Sequence, residues 1–127
     1  MTCRGVRGAI SVGTDSAGAI IAATQRLLKE MIAANHLNPD DVATVIFTAT
    51  PDLTTAYPAR AARELGWTHV PLLCMQEMAV QGSLPQCIRV LVMWNTDLRP
   101  DAIHHVYLGE ATKLRPDLVD SASVEEG

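Results

Sequence analysis

Cysteine is scarce in this chain and odd in number: Cys3, Cys74 and Cys87 stand far apart with no CxxC pair. Such spacing argues against a disulfide framework or a zinc site and fits a reducing compartment. Long apolar runs are missing as well. Nothing approaches the roughly 18 consecutive apolar residues that a membrane span requires. The start carries Arg4 and Arg7 inside a short apolar stretch, unlike a signal peptide. The expected address is the cytoplasm. Nor is there an excess of positive charge, since ten Lys plus Arg face fourteen Asp plus Glu for a net charge of −4. A protein built to coat nucleic acid or an anionic membrane would show the opposite balance. Any anion must be bound locally.

What is present is 127 residues, 48% of them hydrophobic, with no repeat or Pro/Gly/Ser linker before residue 116. The expectation is a single domain over 1–116 and a flexible C-terminal tail over 117–127. A chain of this size buries roughly two-thirds of its extended surface and needs no staple. Alternation over Cys3–Val12 predicts a strand with Val6, Ile10 and Val12 on one side and Arg7 on the other. Asp15 or Ser16 caps a predicted helix to about Asn35, with apolar residues at three- and four-residue intervals. A second strand over Val42–Thr50 is apolar on both faces, and a short basic helix opens at Pro58 and stops at Gly66. Strands near Thr68–Gln76, Cys87–Asn95 and His105–Thr112 complete a βαβαβββ order.

Arg89 is the costly residue of this pattern, a permanent cation in a strand that otherwise reads as central and apolar on both faces. Unpaired and buried it would cost several kcal/mol or more, so it must meet an anion, either a protein carboxylate or a ligand. Glu77, in step with Leu73 and Met75, poses the mirror problem and could be that carboxylate. Arg7, Arg60, Arg63, Arg89 and Arg115 make up half of the basic residues. Their guanidinium forks, if they converge, suit a small substrate with two carboxylates. Arg60 and Arg63, three apart, are expected to leave one side of their helix. Weaker candidates read as structure. His104-His105 cannot chelate from one strand face, Cys74 lacks a positioned histidine, Met75 and Met78 read as core filler, Asp40-Asp41 as a solvated turn, and Arg4-Gly5-Val6-Arg7-Gly8 lacks the setting of a phosphate loop.

Taken in order, Arg4–Ala9, Thr48–Leu53, Tyr57–Leu65, Val70-Pro71 with Cys74–Met78, Cys87–Val90, His105–Leu108 and Leu114–Leu118 resemble the AroH-class, monofunctional chorismate mutases. The resemblance spans residues 3–118. It implies an α/β (α+β type) fold, with a mixed five-stranded sheet and helices packed on it, assembled as a trimeric pseudo-α/β-barrel with active sites between subunits. It also implies the cofactor-free rearrangement of chorismate to prephenate, with no metal. By similarity, Arg7, Arg63, Glu77, Arg89 and Tyr107 fall on site positions, while Tyr57, Ala59, Arg60, Leu72, Leu73 and Cys74 line the pocket and Arg115 matches a mobile C-terminal contact. In this reading Arg89 faces the ether oxygen of chorismate, and Glu77 accepts a hydrogen bond from its ring hydroxyl, with Cys74 near the same region. Arg60 and Tyr57 depart from the familiar lysine and phenylalanine, and one residue is absent between Leu65 and Gly66. Two other readings share these residues: a trimeric enamine/imine deaminase, and a non-catalytic binder of a small dicarboxylate.

Overall fold

A computed structural model describes residues 1–114. Its five strands are β1 (Thr2–Ser11), β2 (Val42–Ala49), β3 (Leu72–Gln76), β4 (Cys87–Thr96) and β5 (Val106–Leu108), joined in the order β3-β2-β4-β1-β5. Strand β4 runs antiparallel to both β1 and β2, whereas β3 and β5 run parallel to their neighbours. Helices α1 (Ala17–Asn35) and α2 (Ala59–Glu64) pack on one face of this mixed sheet. The core lies between them, where Ile20, Leu27, Leu28 and Met31 of α1 meet Val6, Ile10, Val45, Phe47, Ile88, Val90 and Val92 of the sheet.

The Ser16 hydroxyl caps α1 by accepting the Ala19 N–H at 3.2 Å. At the other end His36 turns left-handed, with φ 53°, and the Leu37 N–H returns to the Ile32 carbonyl at 3.1 Å. The last turn thereby satisfies a carbonyl that would otherwise be orphaned. Gly8 lets α1 approach β1 closely, because a Cβ there would press into the Met31 sulfur and lie 3.2 Å from Leu27 Cδ1. In α2, Ala59 and Ala62 join the core and Ala61 is buried as well. No helix among the described residues is long and apolar enough to cross a membrane.

Four expectations need correction. The third strand begins at Leu72, not Thr68: the Val45 N–H to Pro71 carbonyl bond, 3.0 Å, is the first rung of its pairing with β2, and the Thr44 hydroxyl donates to the same carbonyl at 2.8 Å. The last strand ends at Leu108, where Gly109 adopts φ 61° and turns the chain into a 3-10 helix over Gly109–Lys113. Strands β2 and β4 are interior strands, but only one of their faces is covered within the chain. Met75 and Met78 are not core filler: Met75 is half-exposed and Met78 is 77% exposed. The expected tail over 117–127 lies outside the described residues.

Asn35, buried at the end of α1, holds the approach to β5. Its Oδ1 accepts the His104 N–H at 2.8 Å, and its Nδ2 donates to the His104 carbonyl at 2.9 Å and the Met31 carbonyl at 3.0 Å. Asn35→Leu keeps the size and removes every polar partner. It is expected to destabilise the fold by about 2 kcal/mol, seen as a lower urea midpoint at unchanged slope. A midpoint equal to that of the unsubstituted chain would show the clasp to be dispensable.

Candidate active site

The face of the sheet opposite the helices carries a cleft of about 340 Å³ lined by Arg7, Ala9, Thr48, Glu77, Arg89 and Tyr107, with Ile46 and Leu91. Strand register builds it. Tyr107 stands beside Ala9, Ala9 opposite Arg89, Arg89 opposite Thr48, and Thr48 beside Met75, so one row crosses all five strands. Strands lie about 4.8 Å apart, which puts the Tyr107 and Arg89 backbones about 10 Å from each other. Ala9 between them contributes almost no bulk and leaves the space open. Arg7 is two residues earlier on β1 and shares the face, in register with Leu91.

Glu77 enters from just beyond β3, fixed by its N–H on the Ala49 carbonyl at 2.9 Å. Its Oε2 accepts the Thr48 hydroxyl at 2.7 Å and lies 3.3 Å from Arg89 Nε. The expected pairing of the two charged residues is therefore present. Burial of Arg89 is not: its side chain is 46% exposed and that of Glu77 23%. The face that reads as covered in the sequence is open in the chain, which removes the desolvation cost. Arg7 has no carboxylate partner among the described residues, and its backbone N–H donates to His105 Nδ1 at 2.9 Å. Tyr107, which lines the cleft, is buried, and its hydroxyl has no hydrogen-bond partner among the described residues. Two guanidinium groups, one carboxylate and one phenol leave the cleft with a net positive charge, suited to an anion that also offers a hydroxyl. Behind Arg89, burial pushes the Cys87 thiol up, against the pull of the Arg89 charge.

A second cleft of about 450 Å³ lies on the helix side, lined by the loop from Thr50 to Pro58 together with Ala49, Cys74 and Gln76. Phe47 and Ala49 of β2 pair with Cys74 and Gln76 of β3, one residue out of step with Thr48, so they face the opposite way. Tyr57 projects from this loop, 74% exposed. Burial pushes the Cys74 thiol up, with the Ala59 backbone and the Arg63 charge acting in the other direction. Asp15 fastens the loop: its carboxylate accepts the N–H and hydroxyl of Thr54 at 2.9 and 2.7 Å and those of Thr55 at 3.2 and 2.8 Å. The Thr54 hydroxyl, foremost among these donors, holds the Asp15 carboxyl below its ordinary value. A depressed folded-state pKa makes this contribution fully present above the unfolded value near 3.8 and lost on acidification below it.

The sequence profile of the family described as chorismate mutase type I matches residues 3–118. The chain belongs to the type I chorismate mutase family. It is 54% identical over 116 residues to a chorismate mutase AroH of Thermus thermophilus, covering 91% of this chain and 95% of that protein. To a chorismate mutase AroH of Bacillus subtilis it is 49% identical over 119 residues, covering 93% and 94%. A solved chorismate mutase from Clostridium thermocellum superposes with a TM-score of 0.85 at 49% identity, over 87% of this chain and 98% of that one.

Within this type I chorismate mutase chain, the residues singled out from sequence divide between two places. Arg7, Glu77, Arg89 and Tyr107 share the open-face cleft. Tyr57 and Cys74 line the helix-side cleft, with buried Ala59 and exposed Arg63 at α2 close to Cys74. Leu72 packs against the core, while Leu73 is half-exposed beside Ile46 on the open face. Arg60 does not line either cleft; its Nε is held by Glu64 at 3.0 Å, one turn along the helix. Arg115 lies outside the described residues. Among the described residues no cluster of three His, Cys, Asp or Glu could hold a metal. Sequence reasoning passed over Thr48 and treated Asp15 only as a possible cap. Thr48 was detectable as a hydroxyl in step with Ile46 on the face that Arg89 shares, whereas no spacing links Asp15 to Thr54 and Thr55.

Proposed function

We propose that this chain converts chorismate to prephenate by an intramolecular [3,3] rearrangement, and that it does so as a homotrimer whose sites form between subunits. Chorismate is a dianion whose enolpyruvyl arm must fold over its ring before bonds exchange. Arg7, with Arg63 from the neighbouring copy, holds the carboxylates and selects that folded conformer, so the entropy of folding is spent on binding. As the carbon–oxygen bond lengthens, negative charge gathers on the ether oxygen. A guanidinium from Arg89 aimed there stabilises the transition state more than the substrate. Tyr107 donates a hydrogen bond to a carboxylate, and Glu77 accepts one from the ring hydroxyl. Even a millionfold acceleration asks about 8 kcal/mol of these groups. No proton or electron has to leave the substrate, so the reaction calls for no cofactor.

The observation that carries this reading is the row of Tyr107, Ala9, Arg89 and Thr48, with Glu77 at Arg89 and, beside it, Arg7, which meets no carboxylate among the described residues. Assembly is supported by the separation of Tyr57, Cys74 and Arg63 from that cleft. Half-exposed Leu73 and Met75 and exposed Met78 also border the open face and its edge, apolar surface that a second copy would cover. The test is to mix purified protein with chorismate, add no cofactor, and follow the loss of its ultraviolet absorbance with identification of the product. Prephenate is the expected product. Ammonia release from a 2-iminoacid, or saturable binding without turnover, would overturn the assignment.

A further inference from the structure

We infer that Thr48 is a positioning residue which turns the Glu77 carboxylate so that one oxygen is reserved for the substrate's ring hydroxyl and the Arg89 fork is kept from closing on Glu77. This rests on the mutase reading and deepens it.

A carboxylate beside a guanidinium ordinarily closes into a two-point pair, each oxygen taking one N–H at about 2.7–2.9 Å. Here that pair is not made. The Arg89 Nε stands 3.3 Å from Glu77 Oε2, an ion-pair approach, and the hydrogen bond to that oxygen, 2.7 Å, comes from the Thr48 hydroxyl. Both partners converge on Oε2, and no described residue donates to Oε1. A carboxylate whose one oxygen takes the Thr48 hydroxyl, with the Arg89 Nε at ion-pair distance from that same oxygen, is not chelated by the fork. Its second oxygen remains available as an acceptor and nothing more, because an ionised carboxylate has no proton to give.

The backbone makes this arrangement rigid. Thr48 is paired with Arg89 across β2 and β4 and with Met75 across β2 and β3, so its Cα sits between the strand that carries Arg89 and the strand that delivers Glu77. The next residue, Ala49, accepts the Glu77 N–H through its carbonyl at 2.9 Å. Consecutive residues of β2 therefore hold Glu77 twice, once by its main chain and once by its side chain. Thr48 also borders the cleft. Without its hydroxyl, the attraction between Glu77 and Arg89 would draw them into the two-point pair. That relaxation would consume Oε1 and occupy guanidinium N–H groups that the mutase reading assigns to the ether oxygen.

Thr48→Val is the decisive variant, since it preserves shape and β-branching and removes only the donor. Binding is measured by calorimetry with two inert cyclic dicarboxylates, one carrying the ring hydroxyl and the other its deoxy counterpart. Turnover of chorismate is measured on the same preparations. Thr48→Val is expected to weaken the hydroxyl-bearing ligand about tenfold, as loss of a hydrogen bond to a charged group would, and to leave the deoxy ligand within about twofold. The same substitution should lower kcat about tenfold or more with a smaller change in KM. Thr48→Ser, which keeps the donor, should restore both. Equal weakening of the two ligands by Thr48→Val, or no weakening of either, overturns the positioning role while chorismate turnover by the unsubstituted protein leaves the mutase reading standing. Failure of the unsubstituted protein to turn over chorismate overturns that reading, and this inference with it.

Discussion

Arg89→Ala is expected to lower kcat by about a thousandfold or more, the loss that follows removal of a donor aimed at developing negative charge. Arg89→Lys should recover little, because an ammonium keeps the charge but loses the planar fork. A large kinetic effect can be separated from a structural one here, since the geometry limits what Arg89 contributes to folding. It is half-exposed, its contact with Glu77 is a 3.3 Å approach in a solvated cleft, and Glu77 keeps the Thr48 hydroxyl when Arg89 is gone. Exposed pairs of this kind contribute about 0–1 kcal/mol. The urea midpoint of Arg89→Ala should therefore stay close to that of the parent while turnover collapses. Near-normal kcat in Arg89→Ala would remove Arg89 from the reaction. A large loss of stability would instead make it a structural cation, the alternative that its place in an apolar strand leaves open.

Period and capping chemistry made most of the fold legible in the sequence. The α1 stripe, the Ser16 cap, the alternation of β1 and the apolar run of β4 all correspond to observed elements. Legibility failed where a local backbone event outranked side-chain pattern. Pro71 offers no N–H and its carbonyl makes the first rung to Val45, so the ladder starts at Leu72 and the chain before it stays outside the strand. Beyond Leu108, Ala111 and Leu114 are apolar at a three-residue interval, which a 3-10 turn after a left-handed Gly109 satisfies better than a strand. The reading of Arg89 as buried failed for a different reason. Apolar residues on both faces of β4 do signal two-sided covering, but within one chain only the helix face is covered, and Leu91 and Met93 are left partly exposed. Pattern records the character of a residue and not whether its own chain covers it. The same limit applies to the site. Residue types suggested an anion cleft, the family resemblance named its residues, and neither could reveal that β2 and β3 turn Cys74 away from Arg89 and Thr48.

That division of residues yields the second large effect. If an open-face cleft on one subunit is completed by the helix-side wall of the next, Arg89→Ala and Arg63→Ala damage different halves of each site. Each homogeneous variant should be nearly inactive. Co-refolding or co-expression of the two at equal amounts gives mixed trimers, in which a site is intact only when its open face comes from the Arg63→Ala chain and its wall from the Arg89→Ala chain. Random association satisfies both conditions in about one site in four, so the mixture should regain about a quarter of unsubstituted activity. Sites confined to one chain predict something else: every chain carries a lesion, and the mixture can do no better than the average of two nearly dead parents. Mixing the folded variants without dissociating them is the internal control and should give no recovery until subunits exchange. A mixture that stays at the parental average after full exchange would overturn the shared site, and with it the need for the exposed apolar residues near β3 to meet a second copy.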